Sequence, residues 1–261
     1  METSTPRLAL EIAVTSAAGA HTAQRVGADR VELCTALELG GVTPSQGLIA
    51  AAAESTGGTL PVHVLVRPRA GGFCYSDEEL RTYTLELRSI AAQGVAGVVI
   101  GALDASGAIN TAATTRLMAA AWEVDPGLCI TFHRAIDQAR DVDAAISDLI
   151  GLGVHRVLTS GQAATAHEGS AVLRHMVALA DGRLEIMAGG GVRVEDIDLL
   201  AASVGVDAVH LSAKAVMAPA HRAVLPLGSA DGGGHFGTDA RLAAEAAAAV
   251  HTARRSLGAV V

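Results

Sequence analysis

Short apolar runs alternate with amphipathic stretches eight times along the chain. The runs are Leu8–Val14, Arg30–Cys34, Pro61–Arg67, Gly97–Leu103, Cys129–His133, Arg156–Ser160, Glu185–Ala188 and Ala208–Ser212. Each is near strand length, and most are rich in Val, Ile or Leu, which suits a parallel sheet buried on both faces. Between them the apolar spacing turns helical. It predicts helices over Ser16–Val26, Ser45–Ser55, Ser76–Gln93, Thr111–Val124, Arg140–Leu152, His167–Leu179, Val194–Ser203 and Thr238–Leu257. Ser16 reads as an N-cap, and Ser76-Asp-Glu-Glu as a capping box. Gly27, Gly94, Gly127, Gly153 and Gly205 fall shortly before the next strand, where a left-handed C-cap is needed.

Eight βα units in 261 residues predict an α/β protein with one domain over 1–261, a (β/α)8 TIM barrel. A doubly wound open sheet is the alternative. No Gly-x-Gly-x-x-Gly follows the first run, which counts against a dinucleotide fold, and no nucleotide cofactor is expected. The stretch Val216–Gly237 carries Pro219, Pro226 and Gly232-Gly233-Gly234. It reads as a long loop with room for a short extra helix.

Composition narrows the function. Half the residues are hydrophobic and 18% are charged, so a large core forms. The formal net charge of -8 argues against a nucleic-acid partner. Cys34, Cys74 and Cys129 are odd in number and widely spaced, which is no disulfide framework. No Cys-x-x-Cys or His-x-x-x-His marks zinc. The segment METSTPRLALEIAV lacks the basic start and long apolar core of a signal peptide. No run of about 18 apolar residues exists, so no membrane span and a cytoplasmic location are expected.

In a barrel the chemistry gathers where strands end. Glu11, Glu32, Cys34, His63, Arg67, Arg69, Asp104, Thr131, His133, Arg134, Thr159, Ser160, Gln162, His210, Ser212 and Lys214 stand in or just after the strands. With period 2 and helices outside, the strand charges point inward and must be paired. Two glutamates and two arginines can satisfy each other there. For Glu11, a structural ion pair and a functional role both stay open. Arg67, Arg69 and Arg134 with the turn Gly189-Gly190-Gly191 predict an electropositive mouth for a small anionic ligand. The same glycines equally suit a tight βα turn.

Glu32 and His133 are the candidate proton-transfer pair. A strand histidine also fits as a hydrogen-bonded core residue. Lys214, the only lysine, is either a solvated side chain or a Schiff-base amine. Cys34 and Cys74 come from adjacent loops. They are either soft ligands suited to Cu(I) or zinc, or free thiols.

Five blocks then stand in order between Leu8 and Ser212: GADRVELCTALELGGVTPSQGLI, VHVLVRPRAGGFCYSDEEL, TFHRAID, RVLTSGQ and IMAGGGV. Together they resemble the CutC family of copper-homeostasis proteins, and the likeness weakens after Ala215. The resemblance implies a cytosolic (β/α)8 barrel that forms homo-oligomers. It also implies copper handling, with Cys34 in the Glu-Leu-Cys block and Cys74 in the Phe-Cys-Tyr-Ser-Asp block as Cu(I) ligands. Cys129 matches no family cysteine, and the family pattern does not call for Lys214. No His- or Met-rich segment supports a large copper store.

Two functions follow. One is a Cu(I)-binding protein using Cys34 and Cys74. The other is an isomerase- or lyase-like enzyme on a small anionic, phosphorylated or sugar-like metabolite at the barrel mouth. A barrel without catalysis, serving as a scaffold, is a third reading.

Overall fold

Eight parallel strands close into a barrel in chain order in the computed structural model, which describes residues 8–218 and 235–258. They are β1 (Ala9–Val14), β2 (Arg30–Leu33), β3 (Val62–Leu65), β4 (Gly97–Ile100), β5 (Cys129–Phe132), β6 (Arg156–Thr159), β7 (Glu185–Gly189) and β8 (Ala208–Leu211). β8 pairs with β1, Glu11 opposite His210, so the open-sheet alternative is excluded. The outward strand positions, among them Leu10, Ile12, Val64, Val98, Ile130, Val157, Ile186 and Val209, merge into one apolar shell with residues from the surrounding helices.

Those helices are α1 (Ala17–Val26), α2 (Gln46–Ser55), α3 (Asp77–Ala91), α4 (Thr111–Trp122), α5 (Val142–Leu152), α6 (Ser170–Ala180) and α7 (Ala240–Gly258). Their starts are set by side-chain caps. Ser16 accepts the Gly19 N–H, Ser45 the Leu48 N–H, and Ser76 with Glu79 closes the capping box. Each such cap is worth about 1 kcal/mol. Asp141 caps the Asp143 and Ala144 N–H groups, so α5 begins two residues later than the spacing predicts. Gly27, Gly153 and Gly205 are left-handed C-caps as expected. Gly127 is not left-handed; α4 has ended at Trp122, and the Gly127 N–H bonds Asp125 Oδ1 instead.

Two predicted elements differ. The helix over Val194–Ser203 splits into one tight turn, Val194–Asp196, and a wide π-helical segment, Leu199–Val204. The Asp196 carboxylate turns back to accept the Arg193 N–H, which closes the first turn on itself. The second difference follows β8. Lys214–Met217 (β9) pairs antiparallel with His235–Thr238 (β10), so the ends of the expected loop form a two-stranded ribbon. Pro219, Pro226, the three glycines and the expected extra helix lie outside the described residues.

Inside the barrel the core is not uniformly apolar. Glu11, Arg30, His63, Thr131 and Arg156 are all buried there. Arg30 bonds Glu11 at 2.7 Å and Glu185 at 2.8 Å, and Arg156 pairs with Glu185 at 2.7 Å. The ion-pair network foreseen for Glu11 is therefore present. Its arginines are Arg30 and Arg156, which begin their strands, and not the arginines at the end of β3.

Candidate functional site

At the C-terminal ends of the strands lies a cavity of about 350 Å³. Its polar lining is Glu32, Arg67, His133, Arg134, His210, Ser212 and Lys214, and its apolar wall includes Leu37, Leu65, Phe73, Leu158 and Val192. Four of the eight strands or their exits thus deliver a titratable or cationic side chain to one space. Closure of β8 against β1 sets His210 opposite Glu11, next to that space.

Glu32 is carried inward by β2. Burial pushes its carboxyl up to about 7, against the opposing pull of His210. His210 Nε2 lies 3.8 Å from Glu32 Oε2, and His210 Nδ1 lies 2.7 Å from Glu11 Oε1. Burial acts to lower the His210 pKa, but the bond to Glu11 and the Glu32 charge outweigh it and leave it raised. Burial likewise acts to raise Glu11, yet His210 and Arg30 hold it well below the usual carboxylate range. The partner of Glu32 is therefore His210, and not His133 as the sequence suggests.

His133 lies elsewhere in the lining and is of a different kind. Burial, reinforced by the charge of Arg67, pushes its pKa down to about 3. Its Nδ1 accepts the Ala135 N–H at 3.1 Å, so the ring proton sits on Nε2. That Nε2 is buried with no partner among the described residues. His133 is thus a neutral donor at physiological pH rather than a base. Room for its ring comes from Gly101, where an added Cβ would fall 2.4 Å from the imidazole. Gly97 makes the same space for His63 on the other side of β4.

The arginines separate. Arg134 bonds Asp137 Oδ2 at 2.7 Å and Ser160 Oγ at 2.8 Å, and its guanidinium lies close against Gly190. A Cβ at Gly190 would come within 2.8 Å of it. Gly190 and Gly191 line the cavity; Gly189 packs beneath it against Leu158 and His210. Arg67 also lines the cavity, but it donates to the carbonyls of Leu39, Gly41 and Gly71, and its Nε is buried without a partner. Arg69 does not reach the mouth. It pairs with Glu79, donates to the Gly72 and Cys74 carbonyls and stacks on Tyr75. It lines a second, outer cavity with Cys74 and Asp104.

The thiols separate as well. Cys34 is fully buried against Leu65, Val99 and Leu37, and burial raises its thiol far above the ordinary value. Cys74 is exposed and donates to the Asp104 carbonyl at 3.0 Å. Cys129 is a free, partly buried thiol beside Arg156. Among the described residues no three His, Cys, Asp or Glu side chains are grouped to hold a metal ion. Cys34 and Cys74 thus sit in different settings, one in the apolar interior and one on the surface.

The sequence places His210 at a strand end without pointing to a role for it. The signal for His210 was a polar residue on the inward phase of β8, which gains meaning only once β8 meets Glu11 of β1.

Fold and site together define a (β/α)8-barrel protein with a polar, cation-rich cavity at the C-terminal ends of its strands. The chain belongs to the CutC family, whose sequence profile matches residues 8–215. A CutC family protein of Aliivibrio fischeri is 42% identical over 205 residues, covering 78% of this chain and 81% of the relative. A solved CutC structure from Streptococcus agalactiae is 30% identical with a TM-score of 0.74. It covers 78% of this chain and 98% of the other. A KGPDC structure from Streptococcus mutans is 14% identical with a TM-score of 0.59, covering 96% and 98% of the two chains, and shares the fold alone. No described helix is long and apolar enough to cross a membrane.

Proposed function

We propose that the mouth cavity is an acid–base site acting on a small anionic metabolite, in the manner of an isomerase or lyase. The observation that carries this reading is the convergence of Glu32, His210 and His133 with Arg67 and Arg134 on one cavity. Arg134, with the backbone of Gly190 and Gly191, holds the anionic group, and Arg67 adds positive charge to the wall.

Glu32 is poised near neutrality, where a carboxylate both accepts and returns a proton. It takes a proton from a carbon beside a carbonyl. The His133 Nε2–H supports the charge that develops on the oxygen. Return of that proton to the former carbonyl carbon, while the hydroxyl proton of the first carbon passes to the carbonyl oxygen, isomerises an α-hydroxy carbonyl substrate; departure of a leaving group from the carbon on the other side of the deprotonated one makes the reaction an elimination. His210, oriented by Glu11, tunes the charge of Glu32.

The family's name favours a second reading, copper homeostasis. Cys34 and Cys74 are the ligands it would use. Their separate settings give it less support than the cavity gives proton transfer. Three free thiols fit a reducing cytoplasm under either reading.

The test is proton exchange. A mixture of small phosphorylated and carboxylated metabolites is incubated with the protein in deuterium oxide and read by mass spectrometry. One metabolite should gain deuterium or isomerise with the wild type and not with Glu32→Gln. No difference between the two proteins across the mixture would overturn the reading.

A further inference from the structure

The chain is nearly devoid of aromatic residues, with three phenylalanines in all. Two of them carry cations that line the same cavity. The Arg67 guanidinium lies over Phe73, 5.2 Å from the ring centroid, and the Lys214 ammonium lies over Phe236 at 4.4 Å. The first pair comes from one loop. The second is built by the antiparallel ribbon that follows the barrel.

In that ribbon Lys214 of β9 is paired with Thr238 of β10, and Phe236 stands two residues from Thr238. Lys214 and Phe236 are therefore diagonal neighbours on one face. The ribbon is tied to the exit of β1, and its ladder is extended by one more bond at its base. Thr15 Oγ1 donates to the Phe236 carbonyl at 3.3 Å, and the Asp239 N–H donates to the Ala213 carbonyl at 2.8 Å. So the single lysine of the chain, although exposed, is held against a ring at the cavity edge. It is seated on a ring and faces the cavity of Glu32 and Arg134. No described carboxylate pairs with it, whereas Arg134 already has Asp137. A cation held in place by an aromatic face, with no carboxylate partner among the described residues, is an open position for an anion.

We propose that Lys214, positioned by Phe236, is a specificity residue that meets a second anionic group of the ligand, so that the cavity selects small molecules with two anionic groups. One group sits at Arg134 beside Gly190 and Gly191, at the exit of β7. The other sits at Lys214, beyond β8. The inference rests on the anion-binding reading of the same cavity and names its substrate class. A mono-anion of equal size fills the cavity and leaves Lys214 unmatched.

The experiment is calorimetric titration of the full chain at low salt with four probes. Phosphoglycolate and succinate carry two anionic groups; inorganic phosphate and acetate carry one. The wild type should bind at least one two-group probe about tenfold tighter than either one-group probe. Lys214→Met should remove that advantage and leave phosphate affinity unchanged. Lys214→Arg should restore most of it, and Phe236→Leu should weaken the two-group probe alone. If Lys214→Met weakens all probes equally, or none, the specificity role is overturned while anion binding at Arg134 stands. If the wild type binds none of the four probes, the anion-binding reading falls and this inference falls with it.

Discussion

His210 Nδ1 lies 2.7 Å from Glu11 Oε1, and the same imidazole faces Glu32 across 3.8 Å with its other nitrogen. One histidine thus couples the buried ion pairs of the barrel interior to the one carboxyl group that lines the mouth cavity among the described residues. Glu11 is also the carboxylate that Arg30 uses, so the interior network and the candidate site share a residue.

Removing the Glu11 carboxylate leaves both Arg30 and His210 short of their partner inside the barrel. Glu11→Leu should destabilise the fold by about 3–5 kcal/mol, as breaking a buried pair does. Chemical denaturation measures it. A loss below about 1 kcal/mol would mean that the network adds little to folding.

Glu32 gives a pH dependence of definite sign. Its folded-state pKa is raised from 4.5 to about 7, so the folded protein binds more protons than the unfolded chain between those values. The Glu32 contribution therefore declines as pH rises from 4.5 through 7, by up to something on the order of 3 kcal/mol. Glu32→Gln should lose this dependence and gain stability relative to wild type at pH 8. Unfolding curves for the two proteins at pH 5 and pH 8 check it; an unchanged difference between the two pH values contradicts it.

His63 and His133 act in the opposite direction. Burial lowers their pKa values to about 4 and about 3, below the ordinary 6.5. The unfolded chain binds the extra protons, so their contribution is whole above pH 6.5 and is lost as pH falls below it. Histidine ring signals followed by nuclear magnetic resonance should show both rings still neutral at pH 5. Titration of either near 6.5 would contradict the burial argument.

The notch at Gly101 is specific. A Cβ there meets the His133 ring at 2.4 Å, whereas one at Gly127 has only Asp125 Oδ1, at 3.5 Å, for company. Gly101→Ala should cost about 1–3 kcal/mol through overpacking and displace His133, lowering any proton-exchange activity. Gly127→Ala should change neither. Thermal unfolding of both variants distinguishes a packing notch from a general intolerance of alanine.

The barrel was legible because each of its strands is a short apolar run with a helical pattern behind it, and the caps at Ser16 and Ser76 are written locally. The β9–β10 ribbon was not, because Lys214–Met217 is four residues long and pairs with a strand across residues 219–234. At the site, Glu32, His133, Arg134 and Arg67 were readable as polar residues at strand exits. The direction of Arg69 was not: Pro68 and the glycines that follow turn it towards Glu79 of α3. Nor was the role of Arg30 and Arg156. Each opens its strand and reads as a boundary residue until Glu11 and Glu185 are brought opposite by closure.

Proton transfer on an anion in the mouth, as against Cu(I) held by thiols, is tested most directly by native mass spectrometry of the protein as purified. The expected result is a small anionic organic adduct on the wild type, absent from Arg134→Ala and unaffected by Cys34→Ser. A copper adduct that persists in Arg134→Ala and disappears in Cys34→Ser would contradict it.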